Sequence, residues 1–278
     1  MISVSRATVC EACVARVEAQ DELAGLNSFC SRCGDALGME SARFASAMGT
    51  TECTMCRLAP PEFARAVAYA EYDAEVREML HLLKFDRRRE IAAHLLGNYL
   101  ASAIMKLRPV AADELVVIPV PLFAARERSR GFNQAALLAQ HAVKRLKKLS
   151  PGWKLRINTG AMKRVKDTRA LFTMQPHERR RNLRGAFRVV DSEAVCGREV
   201  LLVDDILTTG ATARECARVL LRAGATRVWV ATVARAQPES VRASRMDVAR
   251  WDAVQVGGGA QELESLTVES QSEPWGGL

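Results

Sequence analysis

Glu199-Val-Leu-Leu-Val-Asp204-Asp205-Ile-Leu-Thr208-Thr209-Gly210-Ala211-Thr212 is a stretch in which strand, acid pair, turn and helix start follow one another without a gap. Val200 to Val203, with Glu199 leading in, is short and wholly apolar, which predicts a buried parallel strand. Two adjacent carboxylates, Asp204 and Asp205, stand where that strand is expected to end. A Thr/Gly loop follows, then a helical pattern over Ala213 to Ala223 closed by Gly224. The loop offers backbone N–H groups and hydroxyls, and the helix start adds the positive end of a dipole, so together they make a cradle for phosphate. Carboxylates would repel a phosphate and must face something else. A pair of sugar hydroxyls with a metal nearby is the chemistry that suits them.

The pattern resembles the loop that binds 5-phosphoribosyl-1-pyrophosphate (PRPP) in type I phosphoribosyltransferases. The resemblance implies that Asp204 and Asp205 hold the ribose 2′- and 3′-hydroxyls. It gives the 5′-phosphate to Thr208, Thr209, Gly210, Ala211 and Thr212. Four hydrophobic residues, two acids and Thr-Thr-Gly-Ala-Thr in strict order are far more specific than an isolated glycine motif.

Composition sets the frame around this stretch. The 278 residues suit one substantial domain with small attachments, and an apolar fraction of 49% allows a sizeable core. No apolar run is long enough for a membrane span. Met1 to Val9 lacks the apolar core of a signal peptide. Paired thiols without an export signal point to a cytoplasmic protein whose cysteines bind metal rather than form disulfides. The net charge of +8 is concentrated: Ala161 to Arg188 holds nine basic and two acidic residues, whereas the last 43 residues hold three basic and seven acidic. A basic patch of this kind suits anionic ligands or nucleic acid.

Residues 1 to about 60 carry three CxxC pairs, Cys10/Cys13, Cys30/Cys33 and Cys53/Cys56. That spacing lets both sulfurs reach one tetrahedral Zn²⁺ from a tight knuckle. Cys30-Ser31-Arg32-Cys33-Gly34 is the most knuckle-like, so Cys30, Cys33, Cys53 and Cys56 are the expected ligands of a structural zinc, with Cys10 and Cys13 left open. Pro60-Pro61 marks the boundary to a second domain, 61–236, and residues 237–278 read as a disordered acidic tail.

Phe63 to Tyr72 predicts a strand. Asp73 caps an expected helix to about Phe85, with Val76, Met79, Leu80 and Leu83 on one face and His81 packed among apolar neighbours. Arg87-Arg88-Arg89 opens a second helix, Glu90 to Leu107, either as a solvated start or as an anion-facing one. Leu115 to Ile118 is a second buried strand, running into Pro119-Val-Pro121. A loop with Arg126, Arg128 and Arg130 follows, then an amphipathic helix through Leu149 that Asn133 can cap. Val228 to Ala234 is a further strand, Cys216 a small core residue and Cys196 an incidental thiol.

Pro119-Val-Pro121, Arg130-Gly-Phe-Asn-Gln134, Arg179-Arg-Arg-Asn-Leu-Arg-Gly-Ala-Phe187 and Asp204 to Thr212, behind the CxxC pairs, are similar to the ComF/GntX family over residues 10 to 236. Those competence-associated proteins carry a phosphoribosyltransferase domain and a zinc ribbon. The resemblance implies a mostly parallel α/β sheet flanked by helices, a small N-terminal zinc ribbon, and a glycosyltransferase that uses PRPP with Mg²⁺. It assigns pyrophosphate to Arg126, Arg128 and Arg130. It makes Lys163 to Arg184 a mobile loop whose Lys166, Asp167 and Arg169 close over the site. The other reading of that loop is a solvated charged helix over Pro176 to Leu183. Two departures from the family stand out. Its usual further CxxC pair has no counterpart ahead of Cys10, and Thr168 to Met174 replaces a Thr-Pro-rich segment.

Two function classes remain open on the sequence. One is a transferase that passes phosphoribosyl to an unassigned acceptor with release of pyrophosphate, linked to competence and DNA uptake. The other is a silent PRPP- or nucleotide-sensing module that engages single-stranded DNA or a helicase through the ribbon and basic loop. An aromatic content of 5% leaves few stacking platforms for the second.

Overall fold

A computed structural model of the chain describes residues 11–20, 28–85, 89–168 and 181–237. They belong to one compact unit, residues 1–237. The expected tail lies outside the described residues from 238 onward, as do Cys10, Arg87, Arg88 and Arg169.

The N-terminal part contains little regular structure: α1 (Glu11–Ala15), a short antiparallel pair β1 (Ser28–Phe29) and β2 (Ala36–Leu37), then α2 (Met39–Ala47) and α3 (Thr54–Leu58). From β3 (Arg65–Glu71) the chain alternates strand and helix. It passes through α4 (Ala74–Phe85), α5 (Arg89–Met105), β4 (Glu114–Pro119), α6 (Ala124–Arg130), α7 (Gln134–Leu149) and β5 (Lys154–Ile157). A small antiparallel pair, β6 (Met162–Arg164) and β7 (Phe187–Val189), precedes β8 (Glu199–Leu207), α8 (Ala211–Arg222) and β9 (Arg227–Arg235).

Five strands form one parallel sheet in the order β3-β9-β8-β4-β5. Its inner strands read as near-continuous apolar runs because helices cover both faces. Side chains alternate across a strand, so Leu201 and Val203 of β8 pack with Leu100 of α5 and Leu138 of α7. Val200 and Leu202 pack with Leu220 of α8 and Phe187 of β7. The result is a three-layer α/β domain with β8 near its middle.

The outer edge of β3 is covered from the N-terminal part. Ala19 bridges to Ala70, and the Ala66 N–H donates to the Arg32 carbonyl at 2.7 Å. Backbone groups that would otherwise template aggregation are thereby paired.

Three expectations change. The central strand does not stop at Val203: Ile206 and Leu207 remain in register with Ala234 and Arg235 of β9, so the acid pair lies within the strand. The Arg126 to Arg130 segment is the helix α6, not a loop. His81 is exposed, off the buried stripe of Val76, Met79, Leu80 and Leu83, with its ring 4.8 Å from that of Phe85. Asn133 does cap α7, accepting from the Ala135 and Ala136 N–H groups. Asp73 accepts from the Val76 N–H at the start of α4, and Cys216 is fully buried.

Candidate functional site

The carboxyl end of β8 opens into a cavity of about 30 Å³ lined by Asp204, Thr208 to Ala213, Thr232 and neighbouring apolar side chains. Gly210 adopts φ +72°, a left-handed turn that disfavours a side chain, and it starts α8 with no side-chain cap. The first-turn N–H groups of a twelve-residue helix are thus left for whatever fills the cavity. On the next strand Thr232 is fully buried and donates to the Ala234 carbonyl at 3.0 Å.

Because β8 continues past the acids, strand alternation sends them to opposite faces. Asp204 lines the cavity. Asp205, only 7% exposed, faces α4 and pairs with the Lys84 ammonium at 2.5 Å. Burial, and then the neighbouring Asp205 charge, push the Asp204 carboxyl well above the usual range. Burial works the same way on Asp205, but Lys84 and hydrogen bonds from Asp204 outweigh it and hold that carboxyl below the usual range.

The basic residues divide as well. Helix α6 puts Arg126 and Arg130 on one face, four residues apart, and turns Arg128 away from them. Arg130 lies over the Phe85 ring at 5.4 Å and donates to the Gln134 side chain at 2.6 Å. Desolvation lowers its guanidinium, partly offset by Asp205, with Arg126 close enough to lower it further. In the expected mobile loop, Lys166 donates to the Arg184 carbonyl at 3.0 Å, and Asp167 is exposed. Residues 169–180, including Arg169 and most of the alternative helix, lie outside the described residues.

Sequence motifs did not single out Lys84, Arg164 or Arg235. Arg164 donates to Thr168, lies over the Phe187 ring at 5.5 Å and is lowered by burial and then by Arg126, with Asp204 opposing the shift. Arg235, at the end of β9, contacts the loop carbonyls. All three owe their positions to long-range folding, for which a single sequence carries no local signal.

The sequence over residues 112–263 matches the phosphoribosyl transferase domain. The DNA utilization protein YhgH of Escherichia coli is 37% identical over 180 residues, covering 64% of this chain and 75% of that protein. Competence protein F of Haemophilus influenzae is 30% identical over 212 residues, 75% of this chain and 85% of that one. Competence protein ComFC of Bacillus subtilis is 31% identical over 153 residues, 55% and 56% of the two chains. The chain belongs to the ComF family. The type I phosphoribosyltransferase sheet and the four-cysteine cluster agree with that assignment.

Four of the cysteines converge on one point. Cys30, Cys33, Cys53 and Cys56 place their sulfurs within 4.8 Å of one another, and Cys33 and Cys53 are 3.8 Å apart. A tetrahedral Zn²⁺ with bonds of about 2.3 Å calls for sulfurs about 3.8 Å apart, so the four residues could hold zinc. The N–H groups of Cys33 and Cys53 approach the Cys30 sulfur at 3.5 and 3.2 Å, and that of Cys56 approaches the Cys53 sulfur at 3.4 Å. Gly34, at φ +69°, completes the first knuckle. Crowding splits the thiols: contact with Cys33 first, then Cys53, lowers Cys30, whereas contact with Cys30 first raises Cys56. Four thiolates this close need a cation to ionise together. Cys13 is half-buried and stands outside the cluster. Among the described residues no helix is long and apolar enough to cross a membrane.

Proposed function

We propose that the chain is a PRPP-binding phosphoribosyltransferase of the ComF type, and that the uncapped start of α8 beside Asp204 is the observation that carries this reading. The N–H groups of the Thr208 to Thr212 turn receive the 5′-phosphate, where loop amides and helix dipole act together. Asp204 and Asp205 hold the ribose hydroxyls. Lys84, which neutralises Asp205 before substrate arrives, then turns to the pyrophosphate with Arg126 and Arg130. Arg128, exposed on the same helix, completes the arginine set. Lys166, Asp167 and Arg169 close the site from the loop.

In this chemistry the bond from C1 of the ribose to the pyrophosphate oxygen breaks, and the leaving group takes the electron pair. A nucleophilic acceptor forms the new bond at C1. The protein fixes the sugar and neutralises the leaving charge. Asp204 and the substrate's own oxygens form a hard donor set that suits Mg²⁺, which when bound supplies positive charge to the pyrophosphate. The domain limits in this reading are 1–60 for the zinc ribbon, 61–236 for the transferase domain and 237–278 for the tail, in a cytoplasmic protein.

A second reading is favoured by one surface. Arg214, Arg218 and Arg222 form a stripe along α8 and, with Arg184, Glu62 and Glu215, line a groove of about 260 Å³. The relatives' names, DNA utilization protein and competence protein, agree with single-stranded DNA as its occupant or with a helicase partner nearby. Such binding weakens steeply with salt.

Titration calorimetry of the zinc-loaded protein with PRPP, with and without Mg²⁺, tests the first reading. Saturable, Mg²⁺-dependent binding weakened at least about a hundredfold by Asp204→Asn is expected, as for loss of hydrogen bonds to a charged group. A folded protein that does not bind PRPP refutes it. DNA binding retained in Asp204→Asn separates the second role from the first.

A further inference from the structure

Arg235 ends β9, and the residue is 6% exposed. One guanidinium nitrogen donates to the carbonyls of Leu207, at 3.0 Å, and of Thr208, the two residues that lead into the Gly210 turn. Another lies 3.3 Å from the Asp35 carboxylate. Asp35 belongs to the cysteine knuckle: it follows Cys33 and Gly34, and its carbonyl accepts the Cys30 N–H at 2.8 Å. The next residue, Ala36, donates its N–H to the Gln237 side chain at 3.0 Å, just beyond Arg235.

The consequence for the turn follows from peptide geometry. In a planar trans peptide the carbonyl and the following N–H point in opposite directions. Drawing the Leu207 and Thr208 carbonyls onto Arg235 therefore turns the N–H groups of Thr208 and Thr209 away from it. A guanidinium is the one side chain that can serve two carbonyls and a carboxylate from a single planar fork. Its third partner is not part of the sheet but of a ribbon stapled by a set of four thiols.

We propose that Arg235 is a positioning residue that ties the phosphate loop to the four-cysteine ribbon through Asp35, so that the loop's order and its grip on an anion depend on the ribbon being closed around its metal. The anion-binding half of this statement rests on the function proposed above; the coupling itself does not. Loss of the metal frees the knuckle, Asp35 leaves Arg235, and the Thr208 carbonyl loses the fork that orients its peptide, while the Leu207 carbonyl keeps the Ala236 N–H. By linkage, an anion bound at the loop tightens the hold on zinc by the same factor.

Hydrogen exchange at the amides of Thr208 to Thr212 tests the coupling without any ligand. It is measured on the full chain, zinc-loaded and after chelation, for wild type and Asp35→Asn. Chelation is expected to speed exchange in the wild-type loop by about tenfold, the scale of one charge-assisted contact, while Val116 to Ile118 of β4 stay protected. Asp35→Asn shows the fast loop with zinc bound, and chelation adds little. Equal acceleration by chelation in both proteins, or none in wild type, overturns the proposal. If chelation also opens β4, the zinc-bound comparison decides: an Asp35→Asn loop as protected as wild type overturns it. PRPP calorimetry on the same samples keeps the two ideas apart. A coupled loop that binds no PRPP sinks the proposed function alone, and PRPP binding indifferent to zinc in wild type sinks the coupling alone.

Discussion

Around β8 the apolar side chains are sealed on both faces: Val200 and Leu202 lie under α8, Leu201 and Val203 under α5 and α7, and all four are fully buried. In the ribbon the buried cluster shrinks to Cys30, Leu37, Ala45 and Cys56, half of it thiols. Burying a large aliphatic side chain contributes about 1.5–3 kcal/mol, so a set this small cannot offset the ordering of the chain around it. The two regions therefore rest on different forces. The sheet folds by excluding water, and the ribbon folds if its sulfurs share a cation.

The largest effect that can test this contrast is loss of a ligand. Structural zinc contributes about 10–16 kcal/mol of apparent binding energy in small metal-dependent folds. Cys56→Ser is expected to reduce zinc from one ion per chain to almost none by metal analysis, and to open residues 28–58 to protease while the sheet survives. A metal-free ribbon that resists protease as well as wild type would break the comparison.

Next in size is a cavity in the sheet. Leu201→Ala removes a fully buried side chain between β8 and its covering helices, and is expected to cost about 2–5 kcal/mol in denaturant unfolding. Leu37→Ala, in the ribbon, should leave the main unfolding midpoint close to wild type and lower zinc affinity instead. If both shift the same midpoint equally, the two regions unfold as one and the division of forces is wrong.

Sequence pattern was informative wherever the physics is local. Val200 to Val203 could only be a buried strand, Asn133 announced a helix start, and the CxxC spacing announced a knuckle. It failed where two distant segments meet. An apolar run ends at Asp204, yet the strand continues, because Ile206 and Leu207 find partners on β9 that no local window contains. His81 sits near apolar residues in sequence but off the face they share. The acids are adjacent in sequence, and only the strand's continuation shows that alternation sets Asp204 at the cavity and Asp205 against Lys84. Arg235 carried no motif at all; its importance arises from three segments converging on one guanidinium.

The tip of β8 obeys neither rule, since charges there are held by one another, and this gives the smallest of the three effects. Lys84 is the cation that keeps the buried Asp205 ionised. A carboxyl held below its usual range stabilises the fold above that range, and the contribution disappears as pH falls through the depressed value. Lys84→Met should therefore cost about 1–3 kcal/mol at neutral pH, as for an interrupted, largely buried pair. The gap from wild type should close as the solution is acidified through and below the usual carboxylate range, because a protonated Asp205 no longer needs the ammonium. Asp204 runs the other way: its raised carboxyl favours the fold at low pH and loses that advantage as pH rises through the raised value. Urea midpoints for both proteins from neutral to acid pH measure the difference. A gap that stays constant across that range would mean that Lys84 supports α4 by packing its methylenes, and the tip of β8 would then belong with the core it extends.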